Sequence, residues 1–440
     1  MSGTNSRRVV ITGMAAVSPL GITLESHWDH LSAGRSGLGP LDTFDSHELP
    51  TKAGGAARQF IGDADDFGEL DKEQKKMIRK GLKVMCRETQ MAVVAAHRAL
   101  ADAVIKPEEH LPERHGAVFG SDYMLTESEE FSAGMRKCLD ENGKFNFEKW
   151  GTLGLGEMTP LWMLKYLPNM PGSHIAIFND LRGPSNSITM RESSSNLAID
   201  EAFNTIVRGS ADRMVAGATG TRLHPMKAVH AAQTEQLAPG EGDPTKAARP
   251  FDADRQGMVL GEGAACLVLE ELSLAKARGA KIYGEIVGAA SSIVASKHIV
   301  ANRAAALANA MRQSLKTAGL KPADVGHINA HGLGSHSADI EEAKAIHEVF
   351  GDTATKVPVV AAKSYFGNLG AASGAVELIS SLLAFKHGQL FPVLNFETPD
   401  PACKLNIVTN HTTSPGGSFL KLSFTPQGQA AVVAVKAYSA

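Results

Sequence analysis

Residues 183–209 change period partway along, and this change constrains the fold more than any other stretch. Gly183-Pro184 opens a turn, and Ser185 to Thr189 read as a short strand. Beyond the serines at 193–195 the apolar positions fall at helical spacing: Ala198, Ala202, Ile206 and Val207 share one face, and Gly209 follows as a stop signal. The helix is expected to begin among those serines, whose short hydroxyl side chains can cap its free N–H groups. A side chain just ahead of such a helix lies at the positive end of its dipole and is exposed by the turn. Strand-to-helix elbows carry nucleophiles at that point. Here the position holds Glu192.

The rest of the chain excludes several classes of function. With 440 residues, 43% hydrophobic and 21% charged, it is long enough for a large core or for two similar domains. A net charge of −3 argues against bulk nucleic-acid or membrane-surface binding. No apolar run approaches membrane-spanning length, and Met1 to Arg8 lead into a strand without the apolar core of a signal peptide, so a cytoplasmic protein is expected. Cys86, Cys138, Cys266 and Cys403 are scattered without metal spacing and read as incidental thiols.

Arg8 to Gly13, His115 to Ser121, Asp212 to Gly217, Ala265 to Glu271 and Ile282 to Val287 read as strands, with a tight loop over Gly217 to Gly220 and a short helix over Leu274 to Arg278. Residues 122–164 read as irregular surface or dimer-cap material. Leu70 to Leu82 carries Lys72, Lys75, Lys76, Arg79 and Lys80 on a helix expected to continue through Met85 and Met91. Such a run is either a solvated face or a docking surface for an acidic partner. A calcium loop from Asp252 fails because the twelfth position is Gly263, and no phosphate or dinucleotide loop is present. No metal or nucleotide cofactor is expected.

Several motifs, in order, resemble the β-ketoacyl synthases from Arg8 to about Lys436. Arg8 to Gly13 with Ser18-Pro19-Leu20-Gly21 resembles the family's opening. Arg249-Pro250-Phe251-Asp252 through Gly261-Glu262-Gly263-Ala264 resembles R-P-F-D-x-x-R-D-G-F-V-x-G-E-G-A, departing at Gln256 and Met258. Ala330-His331-Gly332 with Asp339 and Glu342 resembles A-H-G-T-G-T-x-x-x-D-x-x-E. Ala362-Lys363-Ser364 through Gly374 resembles K-S-x-x-G-H-x-x-G-A-A-G, with Asn368 in place of a second histidine. Leu422 to Ala430 resembles N-S-F-G-F-G-G-x-N but has lost most of its glycines, which puts gating of an acyl pocket in doubt. Matching Ala198-Ile199-Asp200-Glu201-Ala202 to the family's A-I-G-D-A puts Glu192 where the family has its acyl-carrying cysteine.

The resemblance implies a thiolase-like five-layered α-β-α-β-α fold made of two similar halves, 1–272 and 273–440, although the sequence shows no internal repeat. It names Glu192, His331, Asn368 and Lys363 as site residues and an acyl carrier protein as partner, and it implies a dimer through the region around the elbow. A carboxylate cannot carry a stable thioester, so condensation by this chain alone is not expected. An ionised Glu192 about 4 Å from a developing enolate would also cost on the order of 4 kcal/mol, unless a protonated His331 pairs with it. Three classes stay open. One is a ketosynthase-family subunit that partners an active ketosynthase as chain-length factors do, or forms a homodimer. The second is an enzyme of altered chemistry: a malonyl-carrier decarboxylase, or a hydrolase or transferase using Glu192 as base with His331, or Ser193 as nucleophile after a one-residue slip. The third is a scaffold whose Glu192–His331 pair is a relic.

Overall fold

The computed structural model describes residues 7–106, 109, 111–298 and 300–439; the start of the chain, Met1 to Ser6, on which the leader expectation rests, lies outside them. Ten strands form the frame: β1 (Val9–Val17), β2 (His115–Ser121), β3 (Ser185–Thr189), β4 (Arg213–Thr221), β5 (Leu260–Glu271), β6 (Gly284–Ile293), β7 (His327–Asn329), β8 (Pro358–Val360), β9 (Ser418–Phe424) and β10 (Gln429–Lys436). The first five run side by side in the order β1-β5-β4-β2-β3, and the second five in the order β6-β10-β9-β7-β8. In each set the first two pairings are antiparallel and the last two parallel. A short antiparallel contact, Val9 opposite Ile286 to Ile11 opposite Gly284, joins the sets.

Six helices make the layers: α1 (Lys72–Leu82), α2 (Arg87–Ala103), α3 (Ser194–Val207), α4 (Arg303–Ala318), α5 (His336–Phe350) and α6 (Ser373–His387). Helix α2 covers β1, β5 and β4 from outside, and α4, backed by α5, covers β6, β10 and β9. Between the two sheets lie α3 and α6, which touch each other and strands of both sets. The order is helix, sheet, helix, sheet, helix, so five layers form. Sheets covered on both faces demand unbroken apolar strands, and β1, β4 and β5 are buried along their whole length. Helix α6, in the middle layer, is buried from Ser373 to Ala384.

Three local expectations fail for identifiable reasons. Gly217 to Gly220 is no loop, because β4 runs straight through to Thr221. The glycines serve close approach: a Cβ on Gly217 would lie 2.0 Å from the Ala265 carbonyl, and one on Gly220 2.5 Å from that of Leu369. The basic helix stops at Leu82, and α2 starts only at Arg87. The turn between them lets Ile78 and Met85 enter the same core from different directions. The serines do not cap α3. A 3-10 turn, Arg191–Ser193, precedes it, and Ser194 Oγ instead accepts from Met190 N–H at 2.7 Å and donates to the Ser121 carbonyl at 3.0 Å. Residues 122–164 also contain a helix, Ser128–Lys137.

Candidate functional site

Parallel strands present their C-terminal ends at a common edge, where open α/β sheets place their chemistry. Four chain segments leave such ends at corresponding places in the two sets of strands. Asp122 follows β2 and His331 lies just beyond β7, while the Glu192 elbow follows β3 and the Lys363–Asn368 segment follows β8. The sequence-predicted residues are thereby drawn into two adjoining clusters. Glu192, His331 and Asn368 are each 1% exposed and Lys363 is 2% exposed.

The first cluster belongs to Glu192. Its Oε1 accepts a short hydrogen bond from the Arg222 guanidinium and a 3.2 Å bond from Asn368 Nδ2. Its Oε2 lies 3.6 Å from Arg191 Nε. Arg222 is fully buried and also faces Asp122 at 3.7 Å and Glu235 at 3.6 Å, and Glu235 takes a 2.6 Å bond from Arg191. Burial alone would raise the Glu192 carboxyl, but the Arg222 and Arg191 charges outweigh it and hold it well below the ordinary carboxylate range. Arg191 adopts φ 47°, a conformation that costs a non-glycine residue on the order of 1 kcal/mol. Its bond to Glu235 holds it there.

The second cluster belongs to His331. Lys363 Nζ lies 3.3 Å from His331 Nδ1 and donates to the His331 carbonyl at 2.8 Å and to Glu377 Oε1 at 2.6 Å. A second buried ammonium, Lys421, shares the same carboxylate, 2.5 Å from Glu377 Oε2. Glu342 accepts from the backbone N–H groups of His331 at 2.6 Å and Gly332 at 2.8 Å, which fixes the turn, and the imidazole packs at 4.4 Å on the Phe424 ring. Burial, then Lys363 and Lys421, push the imidazole well below its usual range.

The Glu192–His331 ion pair considered as one alternative does not form. Among the described residues no hydrogen bond or ion pair links the two, and the counter-charges of Glu192 are Arg222 and Arg191. The electrostatic objection to an enolate beside Glu192 weakens, since a guanidinium already cancels the charge. Glu192 and Ser193 are both shut from solvent. Ser193, the nucleophile of the slipped alternative, gives its hydroxyl proton to the Gln429 carbonyl at 3.1 Å and is fully buried. That contact pins the β9–β10 hairpin, itself closed by Thr425 N–H on Gln429 at 2.8 Å and Gly428 N–H on Thr425 at 3.0 Å. The surface cavities of about 1,350, 660 and 370 Å³ are lined by other residues.

Arg222, Arg191, Asp122, Glu235, Lys421 and Glu377 had not been singled out from the sequence. One signal was available: Arg222 ends a run of small residues inside a buried strand pattern, where a lone charge needs a partner. The Arg249-to-Gly257 motif proves to be a structural clasp. Asp252 caps the backbone N–H groups of Asp254, Glu397 and Thr398, and buried Arg255 reaches Asp400 at 2.7 Å.

Comparison with known proteins agrees with this geometry. Residues 6–275 match the family described as Beta-ketoacyl synthase, N-terminal domain, and residues 283–397 match Beta-ketoacyl synthase, C-terminal domain. The chain is similar to a 3-oxoacyl-[acyl-carrier-protein] synthase 2 of Synechocystis sp., 35% identical over 412 residues, or 93% of this chain and 92% of that one. Among solved structures it resembles the ishigamide ketosynthase/chain length factor, with a TM-score of 0.82 at 27% identity over 99% of this chain and 100% of that one. It also resembles a Beta-ketoacyl synthase from Burkholderia phymatum, with a TM-score of 0.84 at 28% identity over 98% of this chain and 100% of that one.

Proposed function

We propose that this chain, which belongs to the β-ketoacyl synthase family, is a cytoplasmic subunit of fatty acid or polyketide synthesis that does not condense alone and partners an active ketosynthase, as a chain-length factor does. The observation that carries this reading is the Glu192 side chain: at the elbow, in the place matched to the family's cysteine, a carboxylate is locked to Arg222 and shut from solvent. Thioester formation needs a thiolate that an acyl group can reach. Neither the atom nor the access is present at Glu192.

Two further features support partnership. Strand β3 closes one edge of the sheet, and its residues are exposed or half-buried, so its free backbone groups can pair with a neighbouring chain. On α1, Lys72, Lys75, Lys76, Arg79 and Lys80, with Lys83 beyond its end, border a cavity of about 660 Å³, a surface suited to an acidic acyl carrier protein. The shared strand order supports reading 1–272 and 273–440 as two similar halves. The solved ketosynthase/chain length factor supports the heterodimer.

The second reading, decarboxylation of a malonyl-carrier substrate by this chain alone, gains from the charge cancellation at Arg222 and from the Asn368 amide beside Glu192. The experiment is co-expression with its genomic neighbours, to see whether a ketosynthase with an intact Cys-His-His set binds it. Co-purification as a heterodimer, together with no malonyl-carrier decarboxylation by the isolated chain, is the expected result. An isolated chain that decarboxylates, and loses this activity on Glu192→Ala, overturns the proposal.

A further inference from the structure

The contacts of Arg222 raise a question that its place in a family does not answer. A guanidinium with no exposed surface is stable only when anions face it. Three do: Glu192 in a short hydrogen bond, Glu235 at 3.6 Å from one terminal nitrogen and Asp122 at 3.7 Å from the other. Only the Glu192 carboxylate is in hydrogen-bond contact, since Arg222 Nε and its other terminal nitrogen have no hydrogen-bond partner among the described residues. Glu192 is also bonded by the Asn368 amide at 3.2 Å and approached by Arg191 at 3.6 Å. Two guanidinium groups and a carboxamide thus converge on one carboxylate, the donor set of a binding site for a small organic acid.

We propose that Arg222, Arg191 and Asn368 constitute a buried carboxylate-binding site that the chain fills with its own Glu192 side chain. The site takes a small monocarboxylate in trans once that side chain is removed. The atom count of the substitution is favourable: Glu192→Ala deletes a methylene carbon and a carboxylate, which match the four heavy atoms of acetate. Formate fits the same space. Malonate carries a second carboxylate into a closed site and serves as the size control. The proposal goes beyond the partner-subunit reading and does not depend on it, because it concerns what holds the elbow shut and not what the closed elbow is for.

The test is thermal unfolding of the full chain and of Glu192→Ala in sodium acetate, formate or malonate, each against sodium chloride of equal ionic strength. Glu192→Ala is expected to unfold at a lower temperature than the parent. Saturating acetate is expected to raise that temperature by about 2 °C or more, with malonate having a smaller effect. The parent chain and the Glu192→Ala/Arg222→Met double variant should show no acetate-specific rise. An acetate effect that is absent from Glu192→Ala, or equal in the double variant, overturns the proposal.

Arg222→Met in the parent background provides a second readout if Glu192→Ala does not fold. Without Arg222 the Glu192 carboxyl loses its main counter-charge and its pKa rises. A carboxyl raised in the folded state contributes stability that is lost as pH increases. Arg222→Met should therefore lose more stability, relative to the parent, at pH 8 than at pH 5. Equal losses at the two pH values overturn the assignment of Glu192 as the ligand of Arg222.

Discussion

Single residues in the second cluster can be told apart by charge count. Lys363 and Lys421 share Glu377, so the group carries two ammoniums on one carboxylate. Burial, partly offset by Glu377, brings the Lys421 amine down to about 8. Glu377→Gln strands both cations and is expected to destabilise the fold by about 3–5 kcal/mol. Lys421→Met leaves a matched Lys363–Glu377 pair, so denaturant unfolding should find it nearly neutral or stabilising. Nearby, burial raises the Glu342 carboxyl to about 7 despite two backbone N–H donors. A raised acid binds more protons when folded, so its contribution to stability falls as pH rises from about 4.5 to about 7. Glu342→Gln should flatten that part of the stability–pH curve. A curve unchanged by the substitution would contradict the assignment.

Two elements lend themselves to separate tests. The β9–β10 hairpin turns at Gly428 with φ 90°, and a Cβ there would come within 2.9 Å of that of Ala301. Gly428→Val should cost about 2 kcal/mol or more, and heat or denaturant unfolding will show whether the turn needs glycine. Helix α1 is the expected carrier surface. Reversal of Lys75, Lys76 and Arg79 to glutamate should weaken binding of an acyl carrier protein at least tenfold at low salt and leave much less difference at high salt. Surface plasmon resonance at two ionic strengths would read this. Elements with strong period were legible in the sequence, including β1, β5 and the elbow helix α3. Two that were misread, Gly217 to Gly220 and the join between α1 and α2, depend on what packs against them: a carbonyl of another strand in one, a shared core in the other. The site was legible in its positions but not in its pairing. Motif spacing located Glu192, His331, Asn368 and Lys363, whereas the partner of Glu192 arrives just beyond β4, from thirty positions away. The lone charge of Arg222 at the end of a run of small residues signals that a partner is needed, but no local pattern says which one.

At the scale of the molecule, the two sets of strands repeat one order without a repeat in the sequence, because order is kept by which faces are apolar and not by which residues supply them. The elbow helix α3 and helix α6 occupy the layer that both sheets cover. The body of α3 therefore lies under both sheets, where solvent reaches its amides only if the layers separate. Amide protons from Ser195 to Ile206 should exchange with deuterium only through global unfolding, with a denaturant dependence as steep as that of the whole chain. Exchange there through a shallow, local opening would mean that the interior breathes. A shielded amide core of this kind would make the elbow the last part of the protein to register any change in the surrounding solution.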